Sequence, residues 1–294
     1  MDNNRRFPLI LSSFWLKIIA LVTMTIDHIG YLFFEGTASI VLRHFGRLSF
    51  PLFCFMIAEG VIHTKSFKKY ALRLGIMASA ISLAVIIDEA FYISGGILRA
   101  EGNIFIDLLL GALAVYCLKQ NKWYFKIIAL VPLGLSIASF IATAFESCHC
   151  YGIVNWYPFF LRGQYDWLGV LSIVGFYVAH YMKDAFIKVH SNITGIAVEN
   201  YQDSNLERLV INIFSVMMLV IATIIFYIVG ELLPPKYVSW YNNLQLFAMF
   251  SGVFILLYNG KRGYNKKWFQ YGSYLYYPVH MIILYIIYIA FLVS

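Results

Sequence analysis

Long apolar runs of about 17 to 25 residues recur along the whole chain between short polar connectors, and that is the length a helix needs to cross roughly 30 Å of hydrocarbon. They fall at 16–34, 46–64, 70–93, 103–118, 124–145, 166–182, 209–233, 241–258 and 271–293. Backbone amides and carbonyls have no water to bond in lipid, so each run must satisfy them internally as a helix. The expectation is an all-α, polytopic helical membrane protein, a bundle of about nine or ten transmembrane helices. It forms a single integral membrane domain over 1–294, with 183–208 as the longest cytoplasmic loop and 146–165 as room for a short or re-entrant extra helix. Composition agrees, because 61% hydrophobic against 13% charged residues exceeds the apolar surface a water-soluble domain can cover.

Basic residues are distributed unevenly between the connectors. One side collects Arg5, Arg6, Lys17, Lys65, Lys68, Lys69, Arg73, Lys119, Lys122, Lys126, Lys183, Lys188, Arg208, Lys261, Arg262, Lys266 and Lys267. The other has only Arg43, Arg47, Arg99, Arg162 and Lys236. Such a bias places the N-terminus in the cytoplasm and, with an odd number of spans, the C-terminus outside. It accounts for the net charge of +7 without nucleic acid. The loops "HTKSFKKY" and "NGKRGYNKKW" read as topology signals and lipid-headgroup contacts. The first run reads as a retained helix rather than a cleaved signal, since it is long and carries Lys17, Asp27 and His28 with no small-residue cleavage site close behind. Cys54 and Cys117 lie within spans and pack there. In "ESCHC", Cys148, His149 and Cys150 lack the paired spacing of a zinc site, so no metal is expected.

The ionisable residues inside the spans constrain function. A charge near the middle of a span costs roughly 2.5–3.5 kcal/mol on insertion scales, so Asp27 and His28 need partners or a polar cavity. Lys17 and His28 are eleven residues apart, which brings them to within roughly 20° on one helix face and about 16 Å apart along its axis. Lys17 at the cytoplasmic end and His28 deeper in the span mark two depths of one polar path. The topology sorts other polar residues by depth: Arg43 and Arg47 just before the second span, Asp88, Glu89, Asn103 and Asp107 on the outer side, and Glu59, His63, His180 and His280 on the inner side. Asp27 points about 100° away from His28, so the acid that orients the imidazole is open among Asp27, Asp88, Glu89 and Asp107.

The blocks "LKIIALVTMTIDHIG", "GRLSFPLFCFMIAEGVIHT", "NIFIDLLLGALAVY", "DWLGVLSIVGFYV" and "YLYYPVHMIILY" resemble, in that order and over nearly the whole chain, the TraX family of bacterial membrane proteins. That family is named after the enzyme that acetylates the N-terminus of conjugative pilin. It is grouped with the transmembrane acyltransferases, among them the acyltransferase-three polysaccharide O-acetylases and the lysosomal heparan glucosaminide acetyltransferase. The wider group carries a basic residue, ten residues and a His in its first conserved helix, a spacing that Lys17 and His28 match. Its last-helix pattern is similar to Gly272, Ser273, Tyr274, Tyr277 and His280.

The resemblance implies a membrane-embedded acetyltransferase with acetyl-CoA as co-substrate, acting in the bacterial cytoplasmic membrane on a hydroxyl or amine of an extracytoplasmic glycan or pilin-like protein. His28 with Asp27 forms the candidate catalytic set. Lys17, Arg43, Arg47, Glu59, Tyr277 and His280 are the candidates for binding donor or acceptor. A His of near-neutral pKa serves either as general base or as acyl-accepting nucleophile, and the residues do not choose between the two. The rival classes are a proton-coupled transporter, which also uses intramembrane carboxylates and histidines, and a non-catalytic assembly factor for conjugation or surface export.

Overall fold

The computed structural model describes residues 8–91, 99, 102–147, 156–202, 204–233 and 241–293. Arg5, Arg6, Lys236 and the Cys148–His149–Cys150 cluster lie outside the described residues. Among those described, the regular structure is helical apart from one isolated bridge. Seven helical stretches among the described residues are long and apolar enough to cross a membrane: Ser13–Phe33, Gly36–His63, Phe67–Phe91, Trp123–Glu146, Phe159–Thr194, Asn205–Leu232 and Lys267–Phe291. The chain is a multi-pass helical membrane protein. The two remaining apolar runs are also helical but shorter: Ile104–Lys119 has 16 residues, and 241–256 is a helix interrupted by a 3-10 segment over Leu246–Ser251.

Three boundaries differ from those read in the sequence. The second crossing begins at Gly36 rather than near 46, so Arg43 and Arg47 lie within it and not ahead of it. Hydropathy obscures this because 36–46 is a short, mixed segment, too short to register as a span by itself. The helix beginning at Asp166 continues to Thr194, so the start of the long 183–208 connector is helical; it stops where Gly195 takes a positive φ of 70°, a conformation that ends helices. In the region held open for an extra helix, the described residues contain the end of the preceding helix, which runs to Ser147, and a 3-10 turn, Phe159–Leu161.

We label the α-helices in chain order: α1 Ser13–Phe33, α2 Gly36–Gly46, α3 Ser49–His63, α4 Phe67–Phe91, α5 Ile104–Lys119, α6 Trp123–Ile128, α7 Leu130–Ser147, α8 Asp166–Thr194, α9 Asn205–Leu232, α10 Tyr241–Gln245, α11 Gly252–Leu256 and α12 Lys267–Val293. They fold into two compact units. The first comprises Met1–Phe53, Val178–Ile221 and Leu244–Ser294; the second comprises Cys54–Tyr177 and Ala222–Asn243.

In the first unit α1 and α12 pack side by side and run in the same direction. Phe14 meets Phe269, Thr25 meets Tyr276, His28 meets His280 and Phe33 meets Tyr288, so the numbers rise together along both helices. A parallel clamp ties their starts: Leu11 bonds the carbonyl of Leu257 at 2.9 Å, Asn259 returns a bond to the Leu11 carbonyl at 2.8 Å, and Ser13 reaches Lys261 at 2.9 Å. Against α1 on another side, α2 runs antiparallel, and small residues set how closely the two approach. A methyl group at Gly46 would sit 2.2 Å from Asp27 Cβ, and one at Gly30 would sit 2.6 Å from Leu42 Cβ. Ser39 Oγ then donates to the Gly30 carbonyl at 2.7 Å, closing the hairpin.

The second unit is held by a buried polar knot. Asn103 caps α5 by accepting from the Phe105 amide at 3.1 Å, and its side-chain NH2 donates to the Ala78 carbonyl at 2.8 Å and to Ser82 Oγ at 3.1 Å. The Ser82 hydroxyl in turn donates to the Phe160 carbonyl at 2.6 Å. Asp107, fully buried, accepts from the amides of Gln164 and Tyr165 at 2.8 Å each. Its carboxylate thereby satisfies two amides of the turn that leads into α8, which is a structural reason for an acid at this depth.

Candidate functional site

His28 sits on the α1 face that is buried through Leu16, Ala20, Leu21 and Met24, and is itself only 3% exposed. Its ring meets His280 of α12, with His280 Nε2 and His28 Nδ1 2.9 Å apart. His280 Nδ1 donates to the carbonyl of Tyr276, one turn earlier, at 2.8 Å. The Tyr276 ring stacks on the His280 ring, with centroids 5.0 Å apart and planes inclined by 13°. Tyr277 stands edge-on to both imidazoles, 6.3 Å from His28 and 5.8 Å from His280.

A second rung between the same helices lies one turn away. Thr25 spends its only hydroxyl proton on the Leu21 carbonyl at 3.0 Å, so the Tyr276 hydroxyl is the donor in the 2.7 Å bond between Tyr276 and Thr25. Pro278, inside α12, sits between Tyr276 and His280. It removes one helical amide donor at the turn that carries both partners.

Asp27 takes a different course from its neighbour. It forms an ion pair with Arg47, and its other oxygen lies 3.9 Å from Arg43 Nε. Arg43 and Arg47 are 7% and 1% exposed, and Arg43 also stacks over Tyr31 with its guanidinium 5.1 Å from the ring centroid. A carboxylate with 13% of its side chain exposed, set beside two buried guanidiniums, is a mutual-neutralisation cluster. Asp27 therefore anchors α2 to α1, and the ring nitrogen of His28 is engaged by another imidazole rather than by this acid.

Lys17 lies toward the start of α1, with its ammonium 5.4 Å from the Phe269 ring centroid. Lys17 and His28 are eleven residues apart, as are their α12 counterparts Phe269 and His280. Both α1 residues thus look toward one partner helix, as the shared face required. The clamp at the start of α1 carries further cations: Lys261 and Arg262 lie in the paired segment, and Arg208 donates to Asn212 at 2.9 Å and stacks over Tyr258.

The first unit therefore brings together His28, Asp27, Arg43, Arg47, Tyr277 and His280, with Lys17 a few turns away. Glu59 belongs to the second unit, where it is buried on α3 and its carbonyl accepts from His63 Nδ1 at 2.8 Å. The depth assigned to His280 from sequence needs correction. It is level with His28, because α12 begins at Lys267, and thirteen residues of helix, about 20 Å, precede the histidine. Reading the residues one helix at a time missed the His28–His280 and Thr25–Tyr276 rungs. The repeated eleven-residue spacing and the adjacent "YYPVH" were the signals available for them.

These features define a class: a multi-pass helical membrane protein with a buried pair of imidazoles between its first and last described helices. The TraX protein family model matches residues 12–288, and the chain belongs to the TraX family. It is 26% identical over 288 residues to a protein of Dichelobacter nodosus described as "Probable fimbrial assembly protein FimC, serogroup H1", covering 93% of this chain and 94% of that one. No solved structure matches it.

Proposed function

We propose that this protein is a membrane-embedded acetyltransferase that moves an acetyl group from cytoplasmic acetyl-CoA to a hydroxyl or amine of an extracytoplasmic acceptor, a surface glycan or a pilin-like protein. The observation that carries the reading is the buried His28–His280 pair, an imidazole held in place by a second imidazole deep in a helical unit. Imidazole is the side chain best suited to take and return a proton near neutral pH, or to accept an acyl group and pass it on. Burying two of them costs solvation that a purely apolar packing would avoid.

The electrostatic layout supports the same reading. In the proposed orientation the start of α1 faces the cytoplasm of a bacterial inner membrane, with Lys17, Lys261, Arg262, Lys266 and Lys267 at that end. A cationic rim of this kind attracts the phosphates of a coenzyme A donor that cannot itself cross the bilayer. Its thioester then has about 16 Å of helix to ascend from Lys17 to His28. On this reading Arg43, Arg47 and Tyr277 shape the surroundings of the reacting group, and the choice of acetyl-CoA as donor rests on the resemblance of the Lys17–His28 spacing and the last-helix pattern to the wider transmembrane acyltransferases.

A second reading, a non-catalytic assembly factor, draws on the relative named as a probable fimbrial assembly protein. An assembly role is compatible with the enzyme where the acceptor is a fimbrial subunit, whereas a non-catalytic role excludes it. Purified protein in liposomes, given acetyl-CoA labelled in the acetyl group and an extract of cell-surface glycans or pilins, tests the choice. Label transferred to an acceptor supports the enzyme; intact acetyl-CoA with every acceptor fraction supports the assembly factor.

A further inference from the structure

The geometry points to His280 as a positioning residue that fixes the tautomer of His28, so that Nε2 of His28 is the reacting atom. Its chemical consequence rests on the acetyltransferase reading, whereas the tautomer itself follows from hydrogen-bond direction alone.

The direction is set at the far end of the chain of bonds. A carbonyl only accepts, so the 2.8 Å contact between the Tyr276 carbonyl and His280 places a proton on His280 Nδ1. A neutral imidazole carries one N–H, which leaves His280 Nε2 as an acceptor. The 2.9 Å contact to His28 then requires the proton on His28 Nδ1, and the lone pair of His28 falls on Nε2. The opposite polarity would need a doubly protonated His280, a cation in a ring only 6% exposed.

The anchor is itself anchored. Tyr276 is held by its hydroxyl bond to Thr25 and by stacking on the ring it orients, so its carbonyl and His280 keep their mutual geometry. This is the arrangement by which a carbonyl or carboxylate commonly fixes the tautomer of a working histidine, extended here by one imidazole.

The step then balances as follows. The lone pair on His28 Nε2 takes the proton of the acceptor hydroxyl or amine, whose heteroatom forms a bond to the acetyl carbon. The carbon–sulfur bond of the thioester breaks, and the departing thiolate takes the proton from Nε2. No net proton is gained by His28. While the ring is protonated, its Nδ1–H bond to His280 spreads the charge over two imidazoles.

Long-range proton–nitrogen correlation spectra of protein labelled with 15N-histidine test the assignment, with His28→Gln and His280→Gln identifying the two rings. The expected result is Nδ1–H, Nε2-bare for both histidines in the wild type. In His280→Leu the His28 ring should lose its single tautomer, and transfer should fall at least tenfold with the KM for acetyl-CoA unchanged. His280→Gln offers a carbonyl oxygen where Nε2 stood and should restore both tautomer and most of the rate. A wild-type spectrum with the proton on His28 Nε2 overturns the inference without any variant. An unchanged His28 tautomer in His280→Leu overturns it as well. The expected spectra from a protein that transfers no acetyl group uphold the tautomer assignment and overturn the acetyltransferase reading instead.

Discussion

His28 and His280 are 252 positions apart in the chain and 2.9 Å apart in the fold, one imidazole bonded to the other between two helices that run in the same direction. The contact is possible because α1 and α12 start at one level, tied by the Leu11–Tyr258 bridge, and reach their histidines after fifteen and thirteen residues of helix. At 1.5 Å per residue those are ascents of about 22 and 20 Å. A one-residue slip of either helix would turn a ring away by about 100° and break the pair.

Substituting His28→Ala should reduce acetyl transfer by about 10²–10⁴-fold, the usual contribution of a general acid–base group. Its folding should be preserved, with a monodisperse peak on size exclusion and an unchanged helical circular dichroism spectrum. Single-turnover assays with labelled acetyl-CoA read the first quantity.

Removing the charge of Asp27 should destabilise the protein, because Arg43 and Arg47 would be left buried beside a neutral residue. Loss of one partner of a buried ion pair costs about 3–5 kcal/mol. Asp27→Leu should therefore lower the unfolding midpoint markedly. Combining it with Arg47→Met should recover much of the loss, and a double-mutant cycle on denaturant or thermal unfolding measures the coupling.

Gly46→Ala should loosen the α1–α2 hairpin. The added methyl would meet Asp27 Cβ at 2.2 Å, closer than any side-chain rotation can relieve. Overpacking of this kind costs about 1–3 kcal/mol, and a thermal melt of the variant should show it. Gly75→Ala, where an added methyl meets nothing within 4 Å, is the control and should leave the melting point unchanged or slightly raised.

The Thr25–Tyr276 rung makes a prediction about pairs. Tyr276→Phe removes a donor and Thr25→Val removes an acceptor, each leaving a polar partner in place, so each should cost about 1 kcal/mol. Because Thr25 also bonds the Leu21 carbonyl, Thr25→Val should be the costlier of the two. The double variant should cost less than the sum.

Orientation is testable with single cysteines in a background lacking the native ones. Ser66→Cys, in the basic connector between α3 and α4, should react with an impermeant thiol reagent only after the membrane is opened. Glu35→Cys, between α1 and α2, should react in intact spheroplasts. The reverse pattern would invert the proposed topology.

Much of this was legible in the sequence, and the reasons are local. Helices follow from apolar length, since a backbone in lipid has no alternative partner. The shared face of Lys17 and His28 follows from the 3.6-residue turn, as does the divergence of Asp27 from its neighbour. What pairs with each of these groups was not legible. His28 Nδ1 meets an imidazole and not one of the candidate carboxylates, and Asp27, its neighbour in sequence, pairs with Arg47 beside Arg43. Asp107, a candidate for the same orienting role, is occupied with the amides of Gln164 and Tyr165.

Periodicity and hydropathy are properties of one segment at a time, and they determined that this chain crosses a membrane as helices bearing a few costly polar groups. Register between helices remote in sequence is set by close approach at Gly30 and Gly46, by the clamp at Leu11, and by rungs such as Thr25–Tyr276. Only that tertiary register decided which polar group neutralises which, because a hydrogen bond or ion pair depends on a separation of about 3 Å that no single helix specifies.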